Sequence, residues 1–487
     1  MEKRIRNITF ISIIILSTVM HFNHFSKDLM SVHVWRQTQT QVTISTFYEE
    51  DMNIFNPRRH DRGDTDGIFR MEFPIMQWLV ACLYKVFGNH LIITRLFMFL
   101  VGLLAVLGMY QLLDELFHAP ILSAIGAWAF NFSPSFYYYT INPMPDNFAL
   151  CCSIWGLALF FRWYNGQKNK YLIFSNLLIC LGALSKLPFI LFYIVPLVYF
   201  IQQTIKNGLK KEYFIQAVLA GGMAIFPIAW YAVVIPQWKG NAVLGGMLKN
   251  DDSPYKIMDY LQHNLISTMP ELLVGYGSML FFLAGFFFLV KNKSYKNAKF
   301  SLLLWLSVGV LMYYLFEANA IAKIHDYYLF PFYPLLFILV AYGAFHLYNS
   351  GKTIYRNLAL ACVVAIPIVC FFRMHDRWNP EAPGFNKDLL VYKTELQQAI
   401  PNDALVVVGN DESYFISFYY IDKKGWGFHD DNLTAKNLKW MISKGAEYLY
   451  TDSKNILKKP AIAKMVGELV FERGSIQVYK LKKSEET

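Results

Sequence analysis

SVHVWRQTQTQVTISTFYEEDMNIFNPRRHDRGDTDGIFRMEFP, residues Ser31–Pro74, is a polar stretch set between two strongly apolar regions. It carries Arg36, Arg58, Arg59, Arg62 and Arg70 beside Asp51, Asp61, Asp64, Asp66 and Glu72, with His33 and His60 among them. A connection this long and charged inside an apolar chain is unusual for a plain linker. Loops at a surface carry binding and chemistry more often than the elements they join. The stretch reads as the first external loop of an integral membrane protein.

Composition agrees. The 487 residues are 55% hydrophobic, 17% aromatic and 16% charged, with mean hydropathy +0.30. Soluble domains carry about 25% charged residues. The net charge of +10 does not point to nucleic acid. Its Lys and Arg fall largely in short loops between apolar runs, as membrane orientation requires. Cys82, Cys151, Cys152, Cys180, Cys362 and Cys370 have no zinc-ligand spacing and are expected to be free thiols.

Lys3, Arg4 and Arg6 precede the apolar run Ile8–Phe25. No small-residue cleavage site follows, so an uncleaved first span is expected rather than a signal peptide. Within the loop, Val42–Tyr48 and Glu72–Phe87 read as interfacial helices, the second stopped by Gly88-Asn89. Further spans are expected at Leu91–Leu113, Pro120–Tyr139 and Asn147–Trp163. Tyr171–Gln202 is too long for one span and divides at Ser185-Lys186-Leu187-Pro188, because proline disfavours helix at the residue before it. Tyr213–Pro236, Glu271–Val290, Phe300–Phe316, Tyr327–Leu347 and Tyr355–Phe372 complete a bundle of about eleven spans.

The positive-inside rule places the N-terminus in the cytoplasm and the Ser31–Pro74 loop outside. The expected inner loops carry Arg162, Lys168 and Lys170; Lys206, Lys210 and Lys211; Lys291, Lys293 and Lys296; Lys352 and Arg356. The C-terminus then lies outside too. After Arg373 no run is long enough to span a bilayer. Strands are expected at Ala404–Val408, Phe415–Tyr420, Tyr448–Tyr450 and Ile476–Leu481, and helices at Lys387–Ala399 and Leu433–Ser443. The expected fold is an all-α polytopic membrane bundle over residues 1–375, with first external loop 26–90, and a C-terminal soluble α/β domain over 376–487.

The chemistry is expected where ionisable residues sit at the outer ends of spans, since such residues are costly at membrane depth. Glu72, Asp146, Lys186, Lys323, His325 and Asp326 share that side. Each has a plainer reading. Glu72 and Asp146 stand where helix caps stand. Lys186 has the reach to snorkel. Asp51, Asp61, Asp64 and Asp66 suit turns of a solvated loop. Arg36 suits an ion pair within the loop, and His325 a structural contact. His263, on an amphipathic external helix, is a metal-ligand candidate, and Asp411 and Glu412 fit a turn.

HVWRQTQT at His33–Thr40, EFP at Glu72–Pro74, PMPD at Pro143–Asp146, SKLP at Ser185–Pro188 and HDYYLFPFYP at His325–Pro334 together resemble a known family. They are similar, in order and side, to motifs of bacterial GT-C glycosyltransferases of the protein mannosyltransferase and aminoarabinose lipid A transferase branch. The resemblance covers about three-quarters of the chain, judged by its spans. Related sequences often have an acid where this chain has Gln39, so the resemblance does not name the base. Phe73 replaces a polar residue of the second motif.

The resemblance implies an inverting transfer of a sugar from polyprenyl phosphate to a lipid, glycan or protein acceptor at the outer face of a bacterial inner membrane. A carboxylate among Glu72, Asp146, Asp51, Asp61 and Asp64 would activate the acceptor hydroxyl. Arg36, Arg58, Arg59, Arg62, Lys186, Lys323, His325 and Tyr327 would hold substrate and phosphate. A divalent metal, with Glu72 and His263 as candidate ligands, is the alternative source of positive charge. Rival readings are a lipid-linked sugar flippase and a membrane scaffold with an external binding domain. The first usually shows internal repeats, and none is seen here; the second leaves the clustered charges without a role.

Overall fold

The computed structural model describes residues 2–238, 246, 252–411, 413–429 and 432–482. Glu412 lies outside them. The chain divides into two compact units. One holds Met1–Phe25, Met71–Phe73 and Arg95–His375; the other holds Ser26–Arg70, Pro74–Thr94 and Asp376–Thr487. The first unit ends at His375, and apart from Met71–Phe73 residues 26–94 group with the C-terminal residues.

The first unit is helical. Among the described residues seven helices are long and apolar enough to cross a membrane, including Leu187–Asn207, Lys211–Gln237, Ala298–Phe316 and Asp326–Tyr348. Pro254–Val274 and Tyr276–Lys291 form a further pair, bent by 111°. Gly275 makes that bend with φ 76°, a backbone conformation glycine adopts freely. Glu271 to Val274 therefore belong to the preceding helix and not to the expected span Glu271–Val290.

Of the remaining expected runs, one is interrupted. Pro120–Tyr139 divides into Pro120–Asn131 and Pro134–Tyr139, since Pro134 has no N–H to continue the first. Pro145–Gly166 and Asn169–Ser185 follow. Helices Tyr276–Lys291 and Tyr333–Tyr348 touch backbone to backbone. A Cβ at Gly343 would stand 1.9 Å from the Phe281 carbonyl oxygen. Small residues permit such close approach between apolar helices.

The second unit is built on a five-stranded sheet of β1 (Leu405–Val408), β2 (Lys424–Gly427), β3 (Ala446–Thr451), β4 (Val466–Arg473) and β5 (Ile476–Leu481). The strand order is β2-β1-β3-β5-β4. β1 runs parallel to β2 and β3, with Val407 opposite Trp426 and Leu449. β5 runs antiparallel to β3 and β4. β1 is apolar throughout because both its faces are covered, as a central parallel strand requires. Val406 and Val408 join one core with Leu29, Val34, Leu396 and Tyr420. Val407 faces the other, with Trp426, Leu438 and Leu449.

Leu29 and Val34 come from the first loop, which explains the grouping of this unit. Further ties run from Lys393 Nζ to Asp28 at 2.6 Å and from Lys424 Nζ to Glu50 at 2.8 Å. The Arg62 N–H donates to Gly425 O at 2.8 Å, and the Gly425 N–H to His60 O at 3.0 Å. A Cβ at Gly425 would fall 1.8 Å from the Val406 carbonyl oxygen, so only glycine fits between loop and strand.

Several expected elements differ. Phe415–Tyr420 is not a strand: Ile416–Ile421 is a helix, its first N–H groups bonded to the Asp411 carboxylate at 2.9 Å. Asp411 is thus a capping residue in the expected turn. β2 and β4 carry glycine, lysine and glutamate among their apolar positions, which weakens the strand signal. The interfacial helix at Val42–Tyr48 is the longer Val34–Glu49, and the one at Glu72–Phe87 begins only at Ile75.

Candidate functional site

Glu72 is fixed through its neighbours. The Phe73 N–H donates to Leu184 O at 2.9 Å, and Trp230 Nε1 donates to Met71 O at 3.1 Å. The Phe73 ring meets Trp230 edge-on at 5.0 Å. That contact accounts for an aromatic residue where the resembled motif is polar. Tyr231 Oη donates to Leu184 O at 3.1 Å, joining the same end of helix Asn169–Ser185. Glu72 is 8% exposed, and helix Ile75–Phe87 is capped by Pro74 without any side-chain bond.

Lys186 follows at the helix break. Its backbone is extended, with φ −158° and ψ 117°, between helix Asn169–Ser185 and the 3₁₀ turn Leu187–Tyr193. Pro188 imposes this by displacing helix from the residues before it. Lys186 Nζ lies 3.3 Å from Asp146 Oδ1. It also lies 5.5 Å from the Tyr327 ring centre and 5.1 Å from that of Tyr328, within cation–π range. Asp146 is 1% exposed and sits in the first turn of Pro145–Gly166, whose cap is Met144. The carboxylate is a partner of Lys186 and not a cap.

Glu72 and Lys186 line one cavity of about 240 Å³, together with Tyr231, Tyr313, Glu317 and Tyr328. Met71, Leu187, Pro188 and Leu191 supply apolar wall. The site thus combines two carboxyl groups, an ammonium and phenol hydroxyls with an apolar flank. Such a mixture suits a ligand with a charged head and an apolar tail.

Other expected residues lie elsewhere in this unit. Lys323 Nζ pairs with Asp259 at 2.7 Å, both about half exposed, and is a surface ion pair. His325 Nδ1 meets Ala320 O at 2.7 Å and its ring stacks on Tyr328 at 5.3 Å, so it buttresses a cavity wall. Asp326 accepts hydrogen bonds from Ser135 and, at 2.7 Å, from Tyr139, which is a structural role. His263 ends helix Pro254–His263. Among the described residues no group of three or more His, Cys, Asp or Glu side chains is arranged to hold a metal ion.

The loop charges belong to the second unit and are matched there. Arg58 bonds Glu50 at 3.0 Å, Arg59 pairs with Asp61 at 3.1 Å, and Arg62 with Asp66 at 3.0 Å. Arg59 also covers the Phe69 ring at 4.1 Å. Asp51 accepts from the Asn53 N–H at 2.8 Å, a local turn. Asp64 lies in the exposed turn between them. Arg36 and Gln39 are buried and bonded to each other at 2.6 Å. Burial raises the Asp61 carboxyl and lowers the Arg59 guanidinium, each opposed by the other's charge.

Two residues were not anticipated. Arg95 is fully buried and donates to Ile141 O at 3.1 Å and Asn142 Oδ1 at 2.9 Å, holding the segment that leads to Asp146. Its signal was an arginine inside an apolar run. Glu317, in the cavity wall, is the other.

Residues 72–231 match the family described as dolichyl-phosphate-mannose-protein mannosyltransferase. No curated protein matches the chain in sequence. In structure the chain is similar to ArnT from Cupriavidus metallidurans in the apo state, with TM-score 0.68, 11% identity and 97% of each chain covered. The same protein bound to undecaprenyl phosphate gives 0.64 at 12% identity, covering 97% of this chain and 98% of that one. The apo oligosaccharyltransferase of Archaeoglobus fulgidus gives 0.61 at 12% identity, covering 94% of this chain and 72% of that one. The arabinofuranosyltransferase AftD from Mycobacteria gives 0.56 at 11% identity, covering 97% of this chain and 40% of that one. Over nearly its whole length the chain has the fold of ArnT, residues 72–231 match the mannosyltransferase family named above, and its apolar helices are long enough to cross a membrane.

Proposed function

We propose that the chain is an inverting glycosyltransferase. It takes a sugar from a polyprenyl-phosphate donor and passes it to a hydroxyl of a lipid, glycan or protein acceptor on the outer face of the membrane. The observation that carries this reading is the cavity in which Glu72, clamped on both sides by backbone bonds, shares a wall with Lys186. The family match begins at residue 72 itself. A protein of the same fold was solved with undecaprenyl phosphate bound.

The residues divide the work by their chemistry. Lys186 spends one donor on Asp146 and has others to offer a phosphate oxygen, since an ammonium carries three. Asp146 keeps that ammonium charged and in place. The tyrosines beside it limit water, which strengthens charge interactions in the cavity. Apolar walls from Leu187, Pro188 and Leu191 suit the first isoprene units. Positive charge on the leaving phosphate lowers the barrier to its departure. Glu72 either accepts the acceptor's proton or binds the donor head through an exchangeable metal.

The basic loops support an orientation with the second unit outside. The test of the function is transfer of radiolabelled sugar from polyprenyl phosphate in detergent by the purified full chain. Product formation supports the reading, and failure with every polyprenyl-phosphate sugar tried contradicts it.

A further inference from the structure

Glu317 is a carboxylate of the cavity wall that lies outside the sequence motifs. It follows helix Ala298–Phe316 directly, as its C-cap, with its N–H bonded to Tyr313 O at 2.9 Å. It lines the same cavity as Glu72 and Lys186 and is 8% exposed. Its Oε2 is buried and makes no hydrogen bond among the described residues. Every other carboxylate discussed for the reaction, Glu72 and the exposed Asp64 apart, already has a shown duty. Asp146 serves Lys186, Asp61 serves Arg59, Asp66 serves Arg62 and Asp51 holds a turn. Gln39 is an amide that bonds Arg36 and cannot take a proton.

Resting on the proposed transfer reaction, we propose that Glu317 is the catalytic base, accepting the proton of the acceptor hydroxyl. As that O–H bond breaks, its electron pair forms the new bond to the anomeric carbon. The bond from that carbon to the phosphate oxygen breaks, and its electron pair leaves on polyprenyl phosphate. The proton rests on Glu317 and returns to water when product departs. The surroundings suit this cycle. The carboxyl lies just beyond the end of its span, and burial pushes it up to about 7. A base with that affinity is ionised for a large share of the time near neutral pH and gains most from proton transfer there. Glu72 is then left to hold the donor head.

The test is Glu317→Gln in the full-length protein, assayed for kcat, donor KM and pH profile. Expected is a fall in kcat of about 10²–10⁴-fold with little change in donor KM. The wild-type rate should rise through an acidic limb centred near 7, and the residual rate of Glu317→Gln should lack it. Activity of Glu317→Gln within about threefold of wild type, or the same limb in both, overturns the assignment. If Glu317→Gln does not hold its fold, the wild-type profile decides, and a flat rate from about pH 5 to 8 overturns the assignment. An inactive wild type overturns the function reading, and this inference with it; an active wild type with an active variant overturns this inference alone.

Discussion

Lys186 Nζ stands 3.3 Å from Asp146 Oδ1, while Asp146 Oδ2 is buried without a hydrogen-bond partner among the described residues. The pair is thus half satisfied, and the ammonium keeps donors for a ligand. A buried charged hydrogen bond to phosphate contributes about 1.5–3 kcal/mol. Lys186→Met alone would strand Asp146, so the informative variant is Lys186→Met with Asp146→Asn. It should fold, yet its apparent donor constant should rise roughly 10–150-fold. An unchanged donor constant would assign Lys186 to the ion pair alone.

The shared core of loop and C-terminal domain makes a mechanical prediction. Leu29 is fully buried beside Leu396 and Tyr420. Leu29→Ala should destabilise this unit by about 2–5 kcal/mol, the usual range for such a cavity. Limited proteolysis of the C-terminal domain reports it. Unaltered protection from protease would mean that the loop folds without that core.

His60 gives the same unit a pH dependence. Burial, helped by the Lys424 charge, holds its imidazole below the ordinary value, against the neighbouring charges of Asp422 and Glu50. The unfolded chain binds this proton near about pH 6.5 and the folded chain resists it. Stability from this group is therefore complete above that value and falls as pH drops below it, until the folded imidazole also protonates. The thermal midpoint should decline between about pH 7 and 5.5, and less so in His60→Gln. Asp61, raised by burial, works in the opposite sense at lower pH, so the comparison with His60→Gln is what isolates the histidine. Equal slopes in both proteins would remove His60 from the account.

Orientation can be read directly. Lys454 is exposed in the C-terminal domain. An otherwise accessible-cysteine-free protein carrying Lys454→Cys should react with an impermeant maleimide in cells whose cytoplasmic membrane is intact. Reaction only after that membrane is broken would reverse the topology.

Much of this was legible in the sequence because membrane helices announce themselves by length and apolarity. Lys186-Leu187-Pro188 marked a break that the structure shows, and the motifs EFP, PMPD and SKLP placed Glu72, Asp146 and Lys186 near one another. The pairing of arginines 58, 59 and 62 was hidden because charge shows in a sequence but pairing does not: each has an acid within eight residues. The loop's share in the C-terminal core was hidden because it depends on contacts such as Leu29 with Tyr420, far apart in the chain. Glu317 was passed over for a simple reason. The apolar run ends at Phe316, and a charge after a span looks like its boundary.

Glu72→Gln tests the central claim most directly. It keeps size and hydrogen bonding and removes the charge at the cavity to which two backbone bonds hold residues 71 and 73. Transfer from radiolabelled polyprenyl-phosphate sugar should fall by at least about 10²-fold, with the protein still folded. If Glu72 acts through a metal, chelation of the wild type should reproduce the loss and added metal should restore it. Transfer by Glu72→Gln within about threefold of wild type would contradict the account, because Glu72 would then neither take the proton nor hold the donor head.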